Sequence, residues 1–142
     1  MLKNPIRRYS VFMGIELLVV LIVMGLFKVV SDLALGGLIA GAVFLLSTLV
    51  ILVIEWKIRR AWTMALIGGL IFFLGGVLPI LLLRLMTWGE PFKAAQIGPI
   101  TGDFLHRTSN FLYLIFLVGI FMSLQRARWE ASRSNVEKTK GP

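Results

Sequence analysis

The chain has 142 residues, of which 58% are hydrophobic and 15% charged, with no cysteine and a formal net charge of +8. An ordinary soluble domain carries about 25% charged residues, so this composition leaves too little polar surface to coat a water-exposed fold. Without cysteine there are no disulfides, thiolate metal sites or cysteine nucleophiles.

Four apolar stretches, about 9–30, 33–54, 63–83 and 104–124, are bounded by Lys, Arg or Trp. Each approaches the ~20 residues with which an α-helix crosses the ~30 Å hydrocarbon core of a bilayer. The sequence therefore predicts an all-α bundle of four transmembrane helices, filling a membrane domain over 1–130. A basic, disordered cytoplasmic tail is expected over 131–142.

The first stretch follows Lys3, Arg7 and Arg8, as a secretory signal would. Its length exceeds the 7–15 residues of a signal's apolar region and no small-residue cleavage site follows, so it reads as an uncleaved span. Inside it lies Glu16. A charged side chain at mid-bilayer costs about 2.5–3.5 kcal/mol on insertion scales, so Glu16 is expected to face protein or water. Its expected partners are Ser, Thr or a snorkelling Arg59, Arg60 or Arg126. Its functional reading is an intramembrane coupling site for a proton or cation. With the Met24, Gly25, Leu26, Phe27, Lys28 segment, this lone carboxylate in a four-span chain resembles, in outline, the small multidrug transporters. That resemblance implies a coupling role for Glu16. The long third connection, polar start of span four and basic tail depart from that compact family.

The second span holds Gly37 and Gly41 in a G-x-x-x-G spacing, and the third holds Gly68, Gly69, Gly75 and Gly76. Small residues three or four apart clear a helix face for close packing, and spans two and three are the expected central pair. Pro79 interrupts the third span, where it lacks an N–H and crowds the carbonyl four residues back. A kink, with a hinge as its functional reading, is expected there.

The third connection, 84–103, is longer than the usual 2–8 residues between bundle helices. Residues 90–97 are predicted as a short interfacial helix with Pro91 in its first turn, ended by Gly98 and Pro99. Thr101 or Asp103 caps the fourth span. Asp103, His106, Arg107, Asn110 and Tyr113 then follow at helical spacing, a candidate outer polar cluster in which Asp103 and Arg107 form an i, i+4 pair. A ligand pocket, a proton path or a docking surface would use these residues. A well-capped helix start at headgroup depth would hold them equally.

Most basic residues fall on one side of the predicted membrane: Lys3, Arg7 and Arg8; Lys57, Arg59 and Arg60; and Arg126, Arg128, Arg133, Lys138 and Lys140. Only Lys28, Arg84, Lys93 and Arg107 fall on the other. Lys and Arg beside span ends are retained in the cytoplasm, so both termini are expected inside a bacterial-type inner membrane. Tyr9, Trp56, Trp62 and Trp129 at one interface, and Trp88 at the other, fit as aromatic anchors.

The scattered cations exclude a nucleic-acid surface and suit anionic lipid headgroups. One histidine excludes paired-His metal or haem ligation, and no catalytic motif is present. No catalytic residue, metal or cofactor is implied. The sequence favours a small non-enzymatic subunit, self-associating or bound to a membrane-protein partner in an oligomeric assembly. A proton- or cation-coupled transporter using Glu16 or His106 is the alternative.

Overall fold

The computed structural model describes residues 2–92 and 94–139, with side chains to residue 134 in the last helix. In chain order it has α1 (Pro5–Val29), α2 (Leu33–Arg59), α3 (Met64–Phe72), a π-helical turn (Phe73–Val77), α4 (Leu78–Met86), β1 (Gln96–Ile97), β2 (Ile100–Thr101) and α5 (Gly102–Thr139). α3, the π turn and α4 run on as one span, Met64–Met86, giving four helices long and apolar enough to cross a membrane. The chain is an integral membrane protein. Its helices overrun the predicted spans, because polar and basic residues continue the backbone hydrogen bonding beyond the apolar segment. Residues 140–142, the end of the tail expected to be disordered, lie outside the described residues.

Each span starts on a polar residue that satisfies otherwise orphaned N–H groups. Asn4 accepts from Ile6 and Arg7, Asp32 from Ala34 and Leu35, Thr63 from Leu66, and Thr101 from Phe104. Ser123 of α5 adds a tertiary cap, accepting from the Ala65 N–H at 3.2 Å while donating to the Gly119 carbonyl at 2.8 Å. Bonds of this kind matter most where no water can replace them.

Pro79 sits in the first turn of α4, just beyond the π turn. A π turn widens the helix by one residue and is a recognised way of carrying a distortion without breaking it.

The interfacial helix predicted over 90–97 is replaced by a single turn and a hairpin. The Pro91 carbonyl accepts from Ala94 and Ala95, after which β1 and β2 pair antiparallel, Gln96 with Thr101 and Ile97 with Ile100. Gly98, at φ 59°, and Pro99, whose ring fixes a negative φ, form a two-residue hairpin turn whose first position demands glycine. The turn signal therefore outweighed the weak helical pattern ahead of it.

The closest packing joins the third span to α5 rather than to α2. A Cβ on Gly68 would stand 3.1 Å from the Phe116 Cα, and one on Gly119 would stand 2.5 Å from the Met64 carbonyl oxygen. Backbone meets backbone here, so neither neighbour can rotate away. The main core of Phe12, Ile51, Phe72, Phe116 and Ile120 surrounds this seam.

Gly119→Ala is accordingly expected to destabilise the bundle by about 1–3 kcal/mol through overpacking. Gly14→Ala, with nothing within 4 Å of its added methyl, should not destabilise and gains up to about 1 kcal/mol from alanine's higher helix propensity. Denaturant unfolding in detergent micelles compares the two.

Candidate functional site

Two polar constellations lie inside the bundle, at opposite ends. At the end holding the N-terminus, Arg8 and Glu55 are almost fully withdrawn from solvent and approach to 2.9 Å between Arg8 Nε and Glu55 Oε2. The Nε–H is not directed along that contact, so it is an ion contact rather than an aligned hydrogen bond. Tyr9 completes the group: its hydroxyl donates to Glu55 Oε1 at 2.6 Å and accepts from Arg8 Nη2 at 3.3 Å. Arg8 Nη1 donates to the Leu2 carbonyl at 3.2 Å. Tyr9 is thus buried within the protein, unlike Trp56, Trp62, Trp88 and Trp129, which remain exposed as interfacial anchors would.

Sequence reasoning missed this group, having counted Arg8 only as a topology signal. The antiparallel arrangement supplied the clue, because the start of span one and the end of span two meet at the same membrane face.

At the hairpin end, a cavity of about 150 Å³ opens between all four spans. Tyr113, Phe44 and Phe72 close its inner end with ring centroids 5.1 to 6.0 Å apart. Phe92 from the third connection stands at its mouth, anchored where the Gly102 N–H donates to the Ala95 carbonyl at 2.9 Å. Gly102 itself lies against the Phe92 carbonyl too closely for any side chain.

Four polar residues of α5 line this cavity: His106, Ser109, Asn110 and Tyr113. Asn110 Nδ2 lies 3.4 Å from His106 Nε2, with both residues largely exposed. Asp103 and Arg107 point elsewhere, joined by an exposed 2.9 Å ion pair. The structure therefore brings together His106, Asn110 and Tyr113 from the polar cluster and leaves Asp103 and Arg107 on the surface.

Arg84 also lines the cavity and was not among the predicted site residues. Its guanidinium carbon sits 4.1 Å from the Phe92 ring centroid and presses against Gly37, where only a hydrogen leaves room. Gly41 receives Leu81 in the same way. Among the described residues Arg84 has no acidic partner within salt-bridge distance and no hydrogen bond, and its buried Nε is unpaired. Its signal in the sequence was a cation inside the end of a span, on the side the charge bias disfavours.

Glu16 faces the bundle interior, fully buried, with neither carboxyl oxygen hydrogen-bonded. Ser47 and Tyr113 lie beside it, and the Tyr113 hydroxyl donates to the Glu16 main-chain carbonyl at 3.2 Å. The expected snorkelling arginines do not reach it: Arg126 pairs with Glu130 at 2.9 Å. Gly69 receives Leu52 and Phe116, Gly75 receives Leu112, and Gly76 receives Ser109 and Phe72. No group of three or more metal-ligating side chains occurs among the described residues. No protein family, curated protein or solved structure matches the chain.

Removing one partner of a buried ion pair leaves an uncompensated charge, at a cost of about 3–5 kcal/mol. Arg8→Met and Glu55→Leu alone should each lower unfolding free energy by about that amount. The double variant Arg8→Met, Glu55→Leu should recover most of it, because both charges leave together. A double-mutant cycle of micelle unfolding measures the coupling, and two independent, additive losses would contradict the pairing.

Proposed function

We propose that the chain is a small non-enzymatic subunit of a homo- or hetero-oligomeric assembly in a bacterial-type cytoplasmic membrane, with both termini inside. The hairpin end then faces outward, and its cavity is the working surface. The carrying observation is that α5 turns His106, Ser109 and Asn110 toward a cavity shared by all four spans. Polar residues at membrane depth normally mark a pathway or binding site, and a concave, mostly apolar space with few polar groups has the character of a ligand site. The cation bias gives the orientation, and anionic headgroups are its natural contact on the inner face.

The subunit reading is tested by photo-crosslinking in native membranes with the label at Trp88, beside the cavity mouth. Discrete adducts of fixed mass are expected, absent when the label replaces Leu21 on the exposed face of α1. A protein recovered only as the monomer from both positions refutes the assembly.

A second reading, a proton- or cation-coupled transporter, draws on Glu16, a fully buried carboxyl inside a span with hydroxyl groups but, among the described residues, no cation beside it, the setting in which an intramembrane acid is a functional candidate. His106 at the cavity mouth is the other titrating candidate. In proteoliposomes this reading expects cation or proton flux that Glu16→Gln abolishes and His106→Ala reduces. Flux indifferent to both substitutions, or no flux, eliminates it.

A further inference from the structure

Among the described residues, Arg84 is the only one lining the cavity with a fixed charge, and no carboxylate lines that space. Burying cationic groups at membrane depth is costly, and they are ordinarily paired with an acid or with carbonyl groups. Arg84 is half-buried near the end of its span, and among the described residues neither partner is in place. Phe92 supports one face of the guanidinium, and Gly37 allows it to lie flat against α2. A stacked, planar guanidinium with free N–H groups is suited to a carboxylate or phosphate, which it can grip with two parallel hydrogen bonds. Glu90 shares a small adjoining recess with Arg84 but forms no ion pair with it among those present.

The rest of the cavity has the opposite character. Tyr113 is seven residues beyond His106, about 10 Å deeper along α5 at 1.5 Å per residue. Beyond Ser109 and Asn110 the walls become apolar, ending on Phe44 and Phe72. The cavity, about 150 Å³ and open on one side, has room for a benzene-sized part of a ligand, so a longer chain enters only by its head-proximal carbons. Asn110 and Ser109 line the same space and add an amide and a hydroxyl group to its polar part.

We infer that this cavity binds an anionic amphiphile, its carboxylate or phosphate head held by Arg84 near the membrane surface and its apolar part directed toward Phe44 and Phe72. That direction is the one a lipid chain takes in the outer leaflet, head outward and tail toward the midplane. The inference rests on the proposed reading of the cavity as the working surface and adds the class of ligand. The same chemistry is offered by a free fatty acid and by an anionic phospholipid.

The test uses the full chain in phosphatidylcholine nanodiscs, with the fluorescent fatty acid cis-parinaric acid and its uncharged methyl ester as probes. The acid is expected to bind saturably, at least tenfold more tightly than the ester. Arg84→Gln should weaken the acid about tenfold or more and leave the ester unchanged. Arg84→Lys, retaining charge but not the planar fork, should fall between. Gly37→Ala, which intrudes on the guanidinium's place while keeping the charge, should also weaken the acid. Thermal melting of each variant distinguishes lost binding from lost folding, and Arg107→Gln outside the cavity is the neutral control. Displacement by phosphatidylglycerol assigns the source to membrane lipid, and displacement by oleic acid alone assigns it to free acid. Ester binding as tightly as acid, or acid binding unaffected in folded Arg84→Gln, overturns the charge-based class while leaving the cavity as a site. Absence of saturable binding by either probe overturns the ligand inference, and the crosslinked partner decides the subunit reading separately.

Discussion

The contact between Arg8 and Glu55 is the constraint around which the terminal end of the bundle is organised. Neither charge has water available, so each needs the other in place, and Tyr9 occupies the remaining hydrogen-bonding position on Glu55. Such a pair is weak grounds for net stability, because desolvation offsets much of the attraction. Its stronger effect is on register. Sliding α1 against α2 by one turn would expose two opposite charges to lipid, a far worse alternative than any loss of apolar packing.

The third span and α5 are joined by a different physics. In lipid, apolar side chains gain little by leaving the solvent, so helices associate through dispersion and close approach. Gly68 and Gly119 bring backbones together, and Ser123 ties the start of α3 to the same seam. The polar lock stands at one end and the glycine seam runs along α3, while the hairpin end holds a cavity lined by all four spans. There the π turn before Pro79 and the roof formed by the third connection enclose a space rather than a core.

Much of this was legible in the sequence, for identifiable reasons. Apolar length and flanking cations locate a membrane helix almost regardless of its partners, so all four spans were readable. Thr101 as a cap and the Asp103–Arg107 pair were readable because they depend on neighbours three or four residues away. Arg8 with Glu55 was hidden because a contact across 47 positions depends on which helix ends coincide. The partner of the third span was misjudged for a similar reason: glycine marks a face able to pack closely, whereas the facing surface selects what packs there. Gly119 and Ser109 on α5 supplied that surface. The predicted helix over 90–97 failed locally, since Gly98 and Pro99 stop a helix and turn a hairpin equally well.

Glu16 and Arg84 are an acid and a base within one small bundle, and yet they are not paired. Between them stands the aromatic group of Phe44, Phe72 and Tyr113, with Tyr113 lining the cavity on one side and bonded to the Glu16 backbone on the other. Had the two met, they would have formed a second structural lock like that of Arg8 and Glu55. Holding them apart leaves the cavity, among the described residues, with a cation and no internal anion. A half-buried cation with no partner among the described residues is costly to retain, and an anion from outside the fold would compensate it. In the membrane the abundant anions with an apolar body are amphiphiles, and the cavity offers one a charged mouth above an aromatic floor.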